Sequence, residues 1–297
     1  AINTLEKISN LSIIEKEDEK YTGREIAIIT DCHSMYEPTL AVLESIRRNG
    51  ITEIYSLGDN VGFGPNPAEI VDMLEDYKVK SVAGNSEYYN ILGTKIFPYL
   101  DKERLENQEW TKDKLGSSRI EKLKLYKPSI DLDLGNKKIA LCHFANDVRW
   151  DFTKNSTWTY QSNFIPGESS KQFLYTNSKE AKESIENYIK YNKIFTSVKE
   201  NPLFEGKKIT DYDAVLQGHV HFEMDDCLNN TEIHTLRALG MGNKDGEKGA
   251  CYYVLKERKD GNFDTFKRLV NFNKKDLVLN IKSSSIPHKQ KVLSFFN

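Results

Sequence analysis

Two aspartates, one asparagine and four histidines occupy places in this chain where a backbone could gather them around a cation. Asp31 and His33 follow the apolar run Ala27-Ile28-Ile29, and Asp59 follows Gly58 at the end of Glu53 to Leu57. Asn85 follows Gly84 after Val79 to Ala83, and His143 closes Lys138 to Cys142. His219 and His221 stand in Gly218-His219-Val220-His221, directly after Ala214 to Leu216. These motifs hold four of the six histidines. Imidazole, carboxylate and amide-oxygen donors together suit borderline divalent ions such as Mn²⁺, Fe²⁺ or Zn²⁺, not an all-oxygen calcium cage. Seven donors are too many for one tetrahedral ion and fit two ions sharing a carboxylate. Two ions about 3.5–4 Å apart clamp the attacking and leaving oxygens of an in-line displacement. Singly, each motif is more often a polar strand cap, and a lone His143 is more often a satisfied buried histidine. Their recurrence at successive strand ends is what carries weight.

The elements that must position these residues can be read from the hydrophobic pattern. Ala27 to Ile29 is apolar and β-branched, as a strand buried on both faces should be. A strand turns residues i and i+2 to one side, so Asp31 and His33 are expected to converge by the pleat. Glu37 to Asn49 has Leu40, Leu43 and Ile46 at helical spacing and closes at Gly50; Pro67 opens a second helix with Ile70, Val71 and Leu74 on one face. Strand–helix alternation up to Ala83 argues for a parallel, layered α/β sheet, whose ligand crevice lies outside the carboxyl ends of its strands. Tyr99 to Lys127 reads as helical, with Trp110, Leu115, Ile120, Leu123 and Leu125 buried. Residues 144–211 form an aromatic-rich lobe inserted into a single domain spanning 1–297, with a helix capped at Ser178. Glu232 to Arg237, Ala250 to Lys256 and Phe263 to Leu269 read as antiparallel strands.

Composition narrows the classes. The chain has 297 residues, 38% hydrophobic and 29% charged, and a net charge of −2. That balance offers no extended nucleic-acid surface. No run resembles a membrane span or a signal-peptide core, so no membrane partner and a cytoplasmic location are expected. None of the four cysteines forms a Cys-x-x-Cys pair, and Cys32 and Cys142 read as small apolar residues in a reducing compartment.

Asp31-x-His33, Gly58-Asp59, Gly84-Asn85, His143 and Gly218-His219-x-His221 resemble, in order, the five motifs of the calcineurin-like metallophosphoesterases. Gly58-Asp59-Asn60-Val61-Gly62-Phe63-Gly64-Pro65 is similar to the segment of its bacterial phosphodiesterase-type branch. The resemblance implies a four-layer α/β fold, a β-sandwich flanked by helices with the site on loops at one end. It implies two divalent ions, manganese first, with iron, zinc, nickel or cobalt also suited. One ion would be held by Asp31, His33, Asp59 and His221; the second would share Asp59 and take Asn85, His143 and His219. Gly58, Gly84 and Gly218 would keep side chains from crowding the ions. A metal-bridged hydroxide anchored by Asp59 would attack phosphorus while Asn85 and His143 complete the catalytic set. Many members have His after the Asn, and this chain has Ser86, then Glu87. Losing a general acid costs about 10²–10⁴-fold and matters least for good leaving groups. A phosphodiester or nucleotide phosphoanhydride is therefore the expected substrate, ahead of a phosphomonoester; a non-catalytic scaffold of this fold is the rival. Asn60, Ser86, Arg149 and Trp150 are the substrate-side candidates for a small phosphorylated or nucleotide substrate.

Overall fold

The computed structural model describes residues 19–94, 100–127, 129–143, 148–151, 159–162, 209–219, 221–228, 230–241 and 249–296. In chain order the strands and helices are β1 (Tyr21–Ile29), α1 (Tyr36–Arg48), β2 (Glu53–Ser56), α2 (Pro67–Asp76), β3 (Lys80–Ser81), α3 (Asn85–Leu92) and α4 (Lys102–Leu123). There follow β4 (Ser129–Leu134), β5 (Lys137–Cys142), β6 (Val148–Asp151), β7 (Thr159–Ser162), β8 (Ala214–Gln217), β9 (Met224–Leu228) and β10 (Thr231–Thr235). The described chain closes with β11 (Ala250–Arg258), β12 (Phe263–Val270), α5 (Lys274–Ser283) and α6 (Lys289–Ser294).

Two five-stranded sheets form, ordered β12-β11-β1-β2-β3 and β4-β5-β8-β10-β9. In the first, β1, β2 and β3 run parallel, as the strand–helix alternation requires, and β11 joins β1 antiparallel. Strand β1 is central and buried on both faces, which is why its run is continuously apolar. Its even residues Ile26 and Ile28 meet Leu132, Leu134, Ile139, Leu141 and Leu216 of the second sheet, so the main core lies between the sheets. Its odd residues Ala27 and Ile29 face Val42, Leu43 and Ile46 of α1 and Ile70, Met73 and Leu74 of α2. The result is the expected β-sandwich with helices on it.

Several readings need correction. Strand β10 pairs antiparallel with β9 but parallel with β8, so the stretch from Glu232 belongs to a mixed sheet. Helix α4 is broken at Gly116, with φ 66° and ψ 171°, and Leu125 lies beyond its end, 79% exposed. Leu115 and Leu123 are buried as expected. Of the lobe expected over 144–211, the hairpin β6–β7 and the turn Ile209–Asp211 fall within the described residues. The helix capped at Ser178 falls outside them. All four cysteines are free, and burial pushes the Cys32 and Cys142 thiols up to about 12.

Candidate metal centre

All the singled-out motifs emerge at one end of the sandwich, past the carboxyl ends of the parallel strands β1, β2 and β3 of one sheet and β5 and β8 of the other. Backbone bonds stitch the emerging loops. Asp31, His33 and Ser34 donate N–H to the carbonyls of Gly58, Asp59 and Asn60 at 3.0, 3.0 and 2.8 Å, and Gly218 donates to His143 at 3.0 Å. The ligand positions do not converge through a strand pleat. Strand β1 ends at Ile29, and Asp31, His33, Asp59, His219 and His221 all have positive φ, between 47° and 71°. L-residues there cost energy and persist only where the surroundings hold them.

Two groups of donor atoms result, Asp31 with His33 and His221, and Asp59 with His143 and His219. In the first, the Nε2 atoms of His33 and His221 stand 3.0 Å apart, and Asp31 Oδ1 lies 3.6 and 3.3 Å from them. In the second, Asn85 Oδ1 lies 3.1 Å from His143 Nε2 and 2.9 Å from His219 Nδ1. Asp59 Oδ2 stands between the groups, 3.9 Å from His33 Nε2 and 3.5 Å from His143 Nε2. Asp31, His33, Asp59 and His143 are buried, while Asn85, His219 and His221 are half-buried and leave one side open.

The outer atoms of these side chains are already committed. Asp31 Oδ2 accepts from the Thr30 hydroxyl at 2.6 Å and the His219 N–H at 3.1 Å, while its buried Oδ1 has no hydrogen-bond partner. Asp59 Oδ1 accepts from the Ser86 N–H at 2.7 Å. His143 Nδ1 lies 2.8 Å from the Leu57 carbonyl and donates to it, which turns Nε2 inward. Burial and then the neighbouring His221 lower the His33 pKa to about 4; burial and then His143 lower that of His219 to about 3. Burial opposes the Asp31 and Asp59 charges, yet His221 beside the first and His143 beside the second hold both below the usual carboxylate range. Neutral imidazoles and ionised carboxylates are the forms that bind metal. An orphaned buried carboxylate oxygen facing two close imidazole nitrogens fits a cation, so these residues could hold two divalent ions.

The glycines act on the carboxylates. A Cβ at Gly84 would collide with the Asp59 carboxylate and backbone, and one at Gly218 with the Thr30 hydroxyl and the Asp31 carboxylate. Glu87, which no motif reading assigned, ties the loops together. Its buried carboxylate accepts N–H groups from Gly84 at 2.7 Å, Asp59 at 2.9 Å, Asn60 at 2.8 Å and Val61 at 3.3 Å. Its place three residues after Gly84, as the N3 glutamate of α3, was the available signal.

The substrate-side candidates fare less well. Asn60 accepts from Ser56 Oγ at 2.6 Å and donates to Ser81 Oγ at 2.8 Å, which commits its side chain to the fold. Ser86 Oγ is buried without a hydrogen-bond partner, next to Gly62 and Gln108. The side chains of Arg149 and Trp150 lie outside the described residues.

The model of the calcineurin-like phosphoesterase superfamily domain matches residues 25–163. An uncharacterized protein of Methanocaldococcus jannaschii is 36% identical over 118 residues, 40% of this chain and 48% of that protein. The chain thus spans about half the length of the curated relative it matches. In fold it is similar to a hypothetical protein from Pyrococcus horikoshii OT3, with TM-score 0.61 and 14% identity over 91% of this chain and 96% of that one. A metallophosphoesterase from Sphaerobacter thermophilus aligns with TM-score 0.56 and 18% identity over 91% and 98%. Asp31, His33, Asp59, Asn85 and His143 all lie within residues 25–163, the stretch that is similar to the calcineurin-like phosphoesterase superfamily domain.

Proposed function

We propose that the chain is a dinuclear metal-dependent phosphoesterase acting on a phosphodiester or nucleotide phosphoanhydride. The observation that carries this is the place of Asp59 Oδ2, within 4 Å of a histidine from each donor group. One ion would be held by Asp31, His33, Asp59 and His221, the other by Asp59, Asn85, His143 and His219. Bound there, two divalent ions, manganese first, supply Lewis acidity and a nucleophile at neutral pH.

The chain's own part is orientation. Asp59 is fixed by the Ser86 N–H and by Glu87 beneath its backbone, and His143 by the Leu57 carbonyl. Ser86 Oγ is sealed from solvent and does not offer itself to a leaving group. Solvent then protonates that group, which favours good leaving groups over alkyl monoesters.

The test is hydrolysis of bis-p-nitrophenyl phosphate, p-nitrophenyl phosphate and diadenosine tetraphosphate with added Mn²⁺, with Asp59→Asn as control. Turnover is expected to require the metal and to fall by about 10²–10³-fold in the variant. Absence of both turnover and metal uptake in the wild type would leave a scaffold of this fold.

A further inference from the structure

The face that α4 turns toward the site is polar where a buried helix face is ordinarily apolar. Arg104, Asn107, Gln108 and Thr111 follow at helical spacing, the last three buried and Arg104 half-buried. The first three address the loop that carries Asp59. Asn107 Oδ1 accepts the Phe63 N–H at 2.8 Å, and a Cβ at Gly62 would stand 2.8 Å from Gln108 Nε2. Phe63 is thereby held with φ 62°. Its ring stands edge-to-face with that of His33, centroids 5.0 Å apart, and the Arg104 guanidinium lies 5.4 Å from the Phe63 centroid. One aromatic ring therefore separates a fixed cation from the metal centre.

Among the described residues that cation lacks a carboxylate. The nearest acidic side chains in sequence are committed elsewhere. Asp101 caps the Arg104 N–H at 2.7 Å, Glu103 pairs with Lys291 at 2.6 Å and Glu106 with His288 at 2.6 Å. Among the described residues Arg104 has no ion pair. It also sits in the first turn of α4, where the helix dipole disfavours positive charge. An anion beside the centre would relieve both costs.

We propose that Arg104, seated on Phe63, binds a second phosphate of the substrate, adjacent to the one attacked. This rests on the phosphoesterase reading and sharpens it toward polyphosphates over simple diesters. Arginine suits this task because its planar fork meets phosphate oxygens in pairs.

The experiment compares wild type, Arg104→Gln and Arg104→Lys with Mn²⁺ on diadenosine tetraphosphate and bis-p-nitrophenyl phosphate. Binding of adenosine 5′-(β,γ-methylene)triphosphate is measured calorimetrically with and without metal. Arg104→Gln should lose about 10- to 100-fold in kcat/KM on the polyphosphate, through KM, at least tenfold more than on the diester. The analogue should bind correspondingly more weakly, and Arg104→Lys should recover part of both. Equal losses on the two substrates would make Arg104 a packing residue, and no loss on either would make it a bystander; both overturn the subsite. If wild type neither turns over these substrates nor takes up metal, the phosphoesterase reading fails, and the binding arm alone decides for or against an anion at Arg104.

Discussion

In the metal-free protein, His143 faces a choice that its neighbours decide. Burial works against its charge, but the Asp59 carboxylate outweighs burial and raises its pKa to about 9. It is therefore protonated at neutral pH, and a metal must displace that proton to reach Nε2. The folded value lies above the ordinary 6.5, so this pair stabilises the metal-free fold fully below about pH 6.5 and ceases to as pH rises through about 9. Mn²⁺ uptake at about pH 7 should release one proton from His143, and that release should fade above about pH 9. Calorimetry in two buffers of different ionisation enthalpy counts it; no buffer dependence would mean that His143 is neutral or does not ligate. The side chains that meet at this end were legible in the chain by type, because Asp, Asn and His are donor residues whatever the backbone does. Their left-handed backbone was not, since nothing in the local sequence requires it of Asp31 or His219; the bonds from neighbouring loops do. Asn60 illustrates the same limit, for its amide partners Ser56 and Ser81 lie on two different strands.

Glu87 matters at the level of elements, because it joins the turn after β2 to the N-terminus of α3. Replacing its carboxylate with an amide sets an NH₂ against backbone N–H donors that now share one carboxylate. Glu87→Gln should cost the metal-free protein about 1–3 kcal/mol in urea unfolding. It should also weaken Mn²⁺ binding about tenfold, because Asp59 and Asn85 are carried by the joined turns. Unchanged stability and affinity would show that the turns hold without it. Strands with continuous apolar runs, such as β1 and β8, were readable as such. Strand β4 was legible too, since Ile130, Leu132 and Leu134 alternate with Asp131 and Asp133 as in a strand buried on one face, though the reading passed over it. Helix α5 buries only Leu277 and Ile281, a single i, i+4 pair, too sparse to stand out among its lysines.

For the molecule as a whole, the centre lies where the two sheets meet. Asp31, His33, Asp59 and Asn85 come from turns of the first sheet, His143, His219 and His221 from the second, and the His143–Leu57 bond already crosses between them. Ions bound there would clamp the sandwich at that end. A ligand at a hundredfold excess over its Kd stabilises the native state by about 2.7 kcal/mol. Manganese should therefore raise the Tm by several degrees, and EDTA should return it to the metal-free value. A Tm indifferent to both would mean that neither donor group binds an ion.

The backward-turned ligand positions carry a cost of their own. Glycine tolerates positive φ freely, whereas aspartate and histidine, though enriched there among L-residues, still meet a Cβ penalty. A population of variants selected only for folding would drift toward glycine at positions 31, 33, 59, 219 and 221, easing the backbone as it shed its donors. Asp31, His33, Asp59, His219 and His221 thus carry a folding cost that the loop bonds sustain and that a bound cation would offset further.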